Sequence, residues 1–157
     1  MPKLEYPALF DGELIGVRVK EDIHHNEAFC CVPLHLSISV DGALKTKELK
    51  EIIDAHPDLF NEEESDEWEH RIIELFVLYE MQKGKDSFWH PYFEVLPKLT
   101  NFWYWDEEHI RATDDPFITC EMDKIRKYID KNFEEMRLIL LQYPEVFKPG
   151  FITKELY

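Results

Sequence analysis

Cations are scarce in this chain of 157 residues: 18 Lys and Arg stand against 33 Asp and Glu, a formal charge of −15. That shortage argues against a nucleic-acid binder, whose affinity comes mainly from cations set against phosphates. It argues equally against docking on an anionic membrane. Cysteine is sparse as well, with three residues, two of them adjacent (Cys30, Cys31), and no CxxC pair. An odd count without that spacing gives neither a disulfide framework nor a zinc site, and points to a reducing compartment. No apolar run approaches the ~20 residues of a membrane span. The opening stretch, Met1 to Phe10, has neither a basic start nor a long apolar core, so no secretory signal is expected. Internal repeats and low-complexity tracts are absent, as are a phosphate loop, GxSxG and GxGxxG. What remains is rich in core formers, 45% hydrophobic and 14% aromatic. A disordered acidic tail is therefore excluded, and one domain with a real core fits this length.

The hydrophobic spacing changes along the chain. Ile15, Val17 and Val19 alternate with Leu14, Gly16, Arg18 and Lys20, the period of a half-buried strand. A polar turn at His24-His25-Asn26 follows, then the short apolar run Ala28 to Val32, stopped by Pro33. Leu34, Leu36, Ile38 and Val40 alternate with His35, Ser37 and Ser39, and Asp41-Gly42 closes them like a turn. Residues 12–40 thus read as strands. Beyond Gly42 the period becomes helical. Lys47 to Ala55 carries Leu49, Ile52 and Ile53. Asp58 to Glu69 holds seven acids, read as a solvated loop entering a helix N-terminus. Trp68, Ile72, Leu75, Phe76 and Tyr79 share one helix face, with Asp66 and Glu69 as a capping box and Lys83-Gly84 as the stop. Residues 86–108, dense in aromatics and broken by Pro91 and Pro97, read as loop with short helical turns. Asp115-Pro116 supplies an N-cap and N1 pair. Ile118, Met122, Ile125, Ile129, Phe133, Met136, Leu140 and Tyr143 then continue a helix to Pro144. Lys148-Pro149-Gly150 is a turn, and Ile152 to Tyr157 resembles the start of a further element. Strands first and helices after make an α+β arrangement.

Few residues here read as chemistry. His24 and His25 are neighbours and cannot share a helix face as ligands do. His90, in Trp89-His90-Pro91, sits among aromatics, where a packed histidine is the commoner case. Glu107, Glu108 and His109 offer a carboxylate–imidazole pair, with no nucleophile in view. Cys30 and Cys31 lie in an apolar run and read as core thiols. The block Phe102-Trp103-Tyr104-Trp105 stacks on a planar ligand or plugs a gap between helices.

The order of the motifs says more than their chemistry. Glu13-Leu14-Ile15-Gly16-Val17-Arg18-Val19, then Glu21-Asp22-Ile23, Asn26-Glu27 and Val32-Pro33, resembles the opening of the split-SET protein methyltransferases. The Rubisco large-subunit lysine type and the actin-histidine type belong to that group, with a pattern of E-G-x-G-L-x-A, D-I, E and V-P. Ser87-Phe88-Trp89-His90-Pro91-Tyr92-Phe93 with Leu96-Pro97 is similar to the family's S-x-W-x-x-Y-[FI]-x-x-L-P. Tyr104-Trp105-Asp106-Glu107-Glu108 is similar to its Y-W-x-E-E. The three blocks occur in family order and cover roughly residues 6–157.

The resemblance implies SET strands over 1–45 and the helical insertion of the SET domain over 46–157, an incomplete SET fold. It implies that the main chain at Glu13, Leu14, Ile15 and Gly16 lies against S-adenosylmethionine, since a glycine on a strand edge lets backbone approach a flat polar ligand. Leu14 stands where the family has its first glycine, and a side chain there narrows the pocket. The family's Asn-His motif, its acceptor-orienting tyrosine and its C-terminal substrate domain have no counterpart in the sequence. The implied function is the N-terminal portion of a protein lysine or histidine N-methyltransferase, catalytically incomplete alone. The rest of the SET domain would come from the same or another chain. The alternative is a degenerate SET scaffold that docks a protein partner. Either reading expects a protein substrate or partner and an intracellular setting, cytoplasmic or nuclear. Lys45, Lys47 and Lys50 are too sparse for a basic import cluster.

Overall fold

The computed structural model describes residues 3–12, 14–97 and 104–153. The chain divides into two compact units, Met1–Ile38 and Ser39–Tyr157. It is a mixed α+β protein: an N-terminal antiparallel hairpin followed, among the described residues, by seven helices.

The hairpin joins β1 (Leu4–Phe10) to β2 (Leu14–Val19). Leu4 faces Val19, Glu5 faces Arg18, Leu9 faces Ile15 and Phe10 faces Leu14, with a shift of register between Glu5 and Ala8. The shift leaves Tyr6 and Pro7 opposite Val17, so Pro7, which has no N–H to give, falls at a bulge rather than in a regular ladder. Asp11 and Gly12, with φ of 50° and 81°, make the turn, a conformation in which glycine meets no steric cost. The bulge sets Leu9, Ile15 and Val17 on one face, and all three are exposed. Beyond β2, Lys3 holds the next turn in place. Its ammonium pairs with Glu27 at 2.6 Å and donates to the Asp22 carbonyl at 2.9 Å.

The strands expected after the turn do not form. Ala28 to Pro33 lies in neither helix nor strand, Leu34–Leu36 is a single 3-10 turn, and α1 (Val40–Lys45) runs straight through Asp41-Gly42. Ser39 decides this locally. Its hydroxyl accepts from the Gly42 N–H at 3.3 Å, satisfying a donor of the first helical turn. Ala43 is then buried, and a side chain at Gly42 would sit 3.5 Å from the Phe76 ring. The alternation from Leu34 to Val40 therefore marks no buried face: Leu34 is 89% exposed.

The helical spacings are borne out. α2 (Lys47–Ala55) buries Leu49, Ile52 and Ile53. The short α3 (Pro57–Phe60) adds Phe60, and the acidic stretch after it is a run of turns. α4 (Trp68–Gln82) buries Ile72, Leu75, Phe76 and Leu78. Each of these contributes roughly 1.5–3 kcal/mol through the apolar area removed from water. Asp66 is not its cap: the N-cap position falls at Glu67, without a side-chain bond. The Lys83-Gly84 stop holds, with Gly84 at φ 57°. Residues 86–97 make one short helix, α5 (His90–Glu94), and α6 (Glu107–Ala112) follows the stretch 98–103, which is outside the described residues. α7 (Pro116–Leu140) is capped as expected, the Asp115 carboxylate accepting from the Phe117 and Ile118 N–H groups. Met122, Phe133, Met136, Ile139 and Leu140 are buried along it. The helix stops at Leu140, three residues earlier than the spacing through Tyr143 suggests. Pro144 disfavours helical backbone at Tyr143, and turns carry the chain to Phe147 instead. The turn at Pro149-Gly150 is present, with Gly150 at φ 81°. Of the element expected from Ile152, the last four residues lie outside the described ones. Among the described residues no helix is long and apolar enough to cross a membrane.

Candidate functional site

β2 carries the residues matched to cofactor binding. Leu14, Ile15 and Gly16 follow one another along it, while Glu13 lies outside the described residues. Leu14 is 69% exposed and Ile15 63%. Only β1 pairs with β2, so among the described residues the other edge of β2 keeps its main-chain donors and acceptors open. That edge can meet a polar ligand. The face over Gly16 is another matter. A Cβ there would lie 3.1 Å from the Phe10 ring, so the missing side chain makes room for Phe10. The Arg18 guanidinium stacks on the same ring, 5.1 Å from its centre, donates to the Leu9 carbonyl at 2.9 Å and faces Glu5 at 3.5 Å.

The other sequence candidates scatter. His24 and His25 are exposed, and the main-chain N–H of His24 donates to Glu27. The Lys3 ammonium beside Glu27, together with that N–H, holds its carboxyl below the usual range. His109 does meet a carboxylate, but it is Asp106 rather than Glu107 or Glu108. Asp106 caps α6, accepting from the His109 N–H at 2.9 Å and lying 2.7 Å from its Nδ1. These bonds lower the Asp106 carboxyl. Glu107 pairs instead with Arg111 at 2.7 Å. Both members of the Asp106–His109 pair are exposed, a helix cap rather than a buried acid–base pair. Cys30 and Cys31 are exposed and outside any strand, so the expectation of core thiols fails with the strand that was to bury them. Of the aromatic block, Phe102 and Trp103 lie outside the described residues. Tyr104 and Trp105 are exposed, and the Trp105 carbonyl accepts from Arg126 at 2.6 Å.

Two buried polar clusters escaped the sequence reading. Arg71, 6% exposed, reaches Glu135 at 2.9 Å, Asn132 at 3.2 Å and Glu67 at 3.5 Å, all through one guanidinium nitrogen. It ties α4 to α7. Tyr128 of α7 donates its hydroxyl to Glu67, and that bond, with partial burial, raises its phenol above the ordinary 10. The sequence signal was Glu67 four residues before Arg71, a helical ion-pair spacing. The second cluster explains the serine of the second motif. Ser87 donates to the buried Glu80 at 2.6 Å and accepts from the Trp89 N–H, while Lys83 reaches the other Glu80 oxygen at 2.6 Å. Ser87 thus anchors the aromatic segment to α4, and Phe88 and Tyr92 remain exposed.

Cavities of the helical unit lie elsewhere. One of about 210 Å³ is lined by Leu140, Leu141, Pro144 and Phe147, with Arg137 and Lys148 beside them. Among the described residues no three His, Cys, Asp or Glu side chains converge as a metal site. No family model, curated protein or solved structure matches the chain.

Proposed function

We propose that this chain is the N-terminal portion of an S-adenosylmethionine-dependent protein N-methyltransferase of the split-SET kind, with lysine or histidine as acceptor. Three motif blocks in family order support the reading. The observation that carries it is the placement of Leu14-Ile15-Gly16 on a strand whose outer edge is open among the described residues. Backbone groups of that edge would hold the cofactor, which supplies a methyl group on a sulfonium for in-line transfer to a neutral amine or imidazole nitrogen. A desolvated channel must keep that acceptor deprotonated, and this hairpin supplies one wall of it. The open apolar face of Leu9, Ile15 and Val17 supports completion of the sheet by further strands.

The second reading, a SET scaffold that docks a protein, is favoured by Phe10, which takes the space over Gly16. Calorimetry with S-adenosylmethionine on the protein as its gene encodes it separates the two. Saturable binding, with methyl transfer to a protein acceptor, supports the enzyme. No heat at millimolar ligand overturns it and leaves the scaffold. The 157 residues alone are expected to give no turnover, because the cofactor site needs the other half of the SET domain, and product from them would refute their incompleteness.

A further inference from the structure

We propose that Cys30 and Cys31 form a surface clamp for a soft thiophilic centre such as a trivalent arsenical, a site independent of the methyl-transfer reading. Both thiols are exposed, and the residues around them, from Ala28 to Pro33, are exposed in a stretch without helix or strand. Neither is sequestered in a core. Adjacent residues have Cα atoms about 3.8 Å apart across a trans peptide. An ordinary disulfide needs at least about 4.4 Å, so direct oxidation of the pair to a disulfide is strained. A large soft atom bridging the two sulfurs removes that strain, and thiolate sulfur prefers soft partners. Among the described residues no third ligating side chain completes a metal cluster. The centre best suited therefore takes two sulfurs from protein and brings its remaining bond itself. Trivalent organoarsenic meets that requirement. With phenylarsine oxide, two arsenic–sulfur bonds form, the arsenic–oxygen bond breaks, and the oxygen leaves as water with both thiol protons. Arsenic stays trivalent and nothing is oxidised. Once the first sulfur is bound, the second reacts intramolecularly at high effective concentration.

Cys120 is an internal control, an exposed thiol on α7 with no cysteine beside it in sequence. The test titrates the full chain with phenylarsine oxide and reads the intact mass. The expected result is one phenylarsenic group per chain, retained in excess glutathione and removed by a dithiol. C30S and C31S each lose the glutathione-resistant adduct, and C120S keeps it. Circular dichroism checks that the variants fold, and the glutathione challenge of the unmodified chain decides the matter without them. An adduct that glutathione strips, or one that survives in C30S or C31S, overturns the proposal.

Discussion

Arg71 shows how much one side chain settles. Its guanidinium is out of water, yet two of its nitrogens, Nε and Nη1, have no protein partner, while the third meets two carboxylates and an amide. A buried cation is tolerated only where charge answers it. Glu67 and Glu135 are each about a third exposed, with side chains 37% and 32% accessible, so solvent screens their half of the interaction. R71A is therefore expected to destabilise the protein by about 1–3 kcal/mol, below the loss for a fully buried pair. R71M, which keeps the packed stem, should lose less. Urea unfolding measures both, and an unchanged midpoint for R71A would show that the join rests on apolar packing alone. Tyr128 makes a pH prediction. Its folded pKa lies above the unfolded 10 because its hydroxyl donates to Glu67. The protonated phenol is favoured by folding, so its contribution is full below pH 10 and is lost as pH rises through the raised value. Y128F should flatten the alkaline fall in stability, seen by chemical denaturation across that range.

At the scale of elements, caps and buried stripes act together. Asp115 closes the start of α7 with two main-chain bonds. D115A should cost about 1 kcal/mol, the usual worth of an N-cap carboxylate. Leu75, fully buried in α4, has no exposed surface left to lose. L75A should cost about 2–5 kcal/mol, with the value set by how far the site collapses. Thermal unfolding of the two variants should rank them in that order. The elements legible in the sequence were those with two concordant signals. α7 had Asp115-Pro116 and an eight-residue apolar stripe, and α4 had its stripe and Gly84. The Leu34–Val40 segment had one signal, alternation, and lost to the Ser39 cap. β1, covered only by the resemblance to SET strands over 1–45, showed no pattern of its own. Pro7 breaks any strand pattern in the sequence, and only the bulge opposite Val17 makes it compatible with pairing.

At the scale of the molecule, the two units differ in what holds them. A two-stranded hairpin is marginal by itself, and the face of Leu9, Ile15 and Val17 is exposed. The helical unit has a buried set running from Leu49 through Leu75 to Met136. Amide hydrogen exchange should therefore be fast over Leu4–Val19 and slowest in the middle of α4 and α7. Equal protection in both would show that the hairpin has cover from elsewhere.

The sequence by itself determined α2, α4 and α7, the strand at Leu14–Val19 and the excess of acid, because capping chemistry, 3.6-residue spacing and charge are local properties. Tertiary structure alone decided that Arg71 of α4 meets Glu135 of α7, that Phe10 lies over Gly16 and that Cys30 and Cys31 face water. Each of those outcomes depends on which distant or opposing group fills the adjacent space, and no spacing along a chain encodes that.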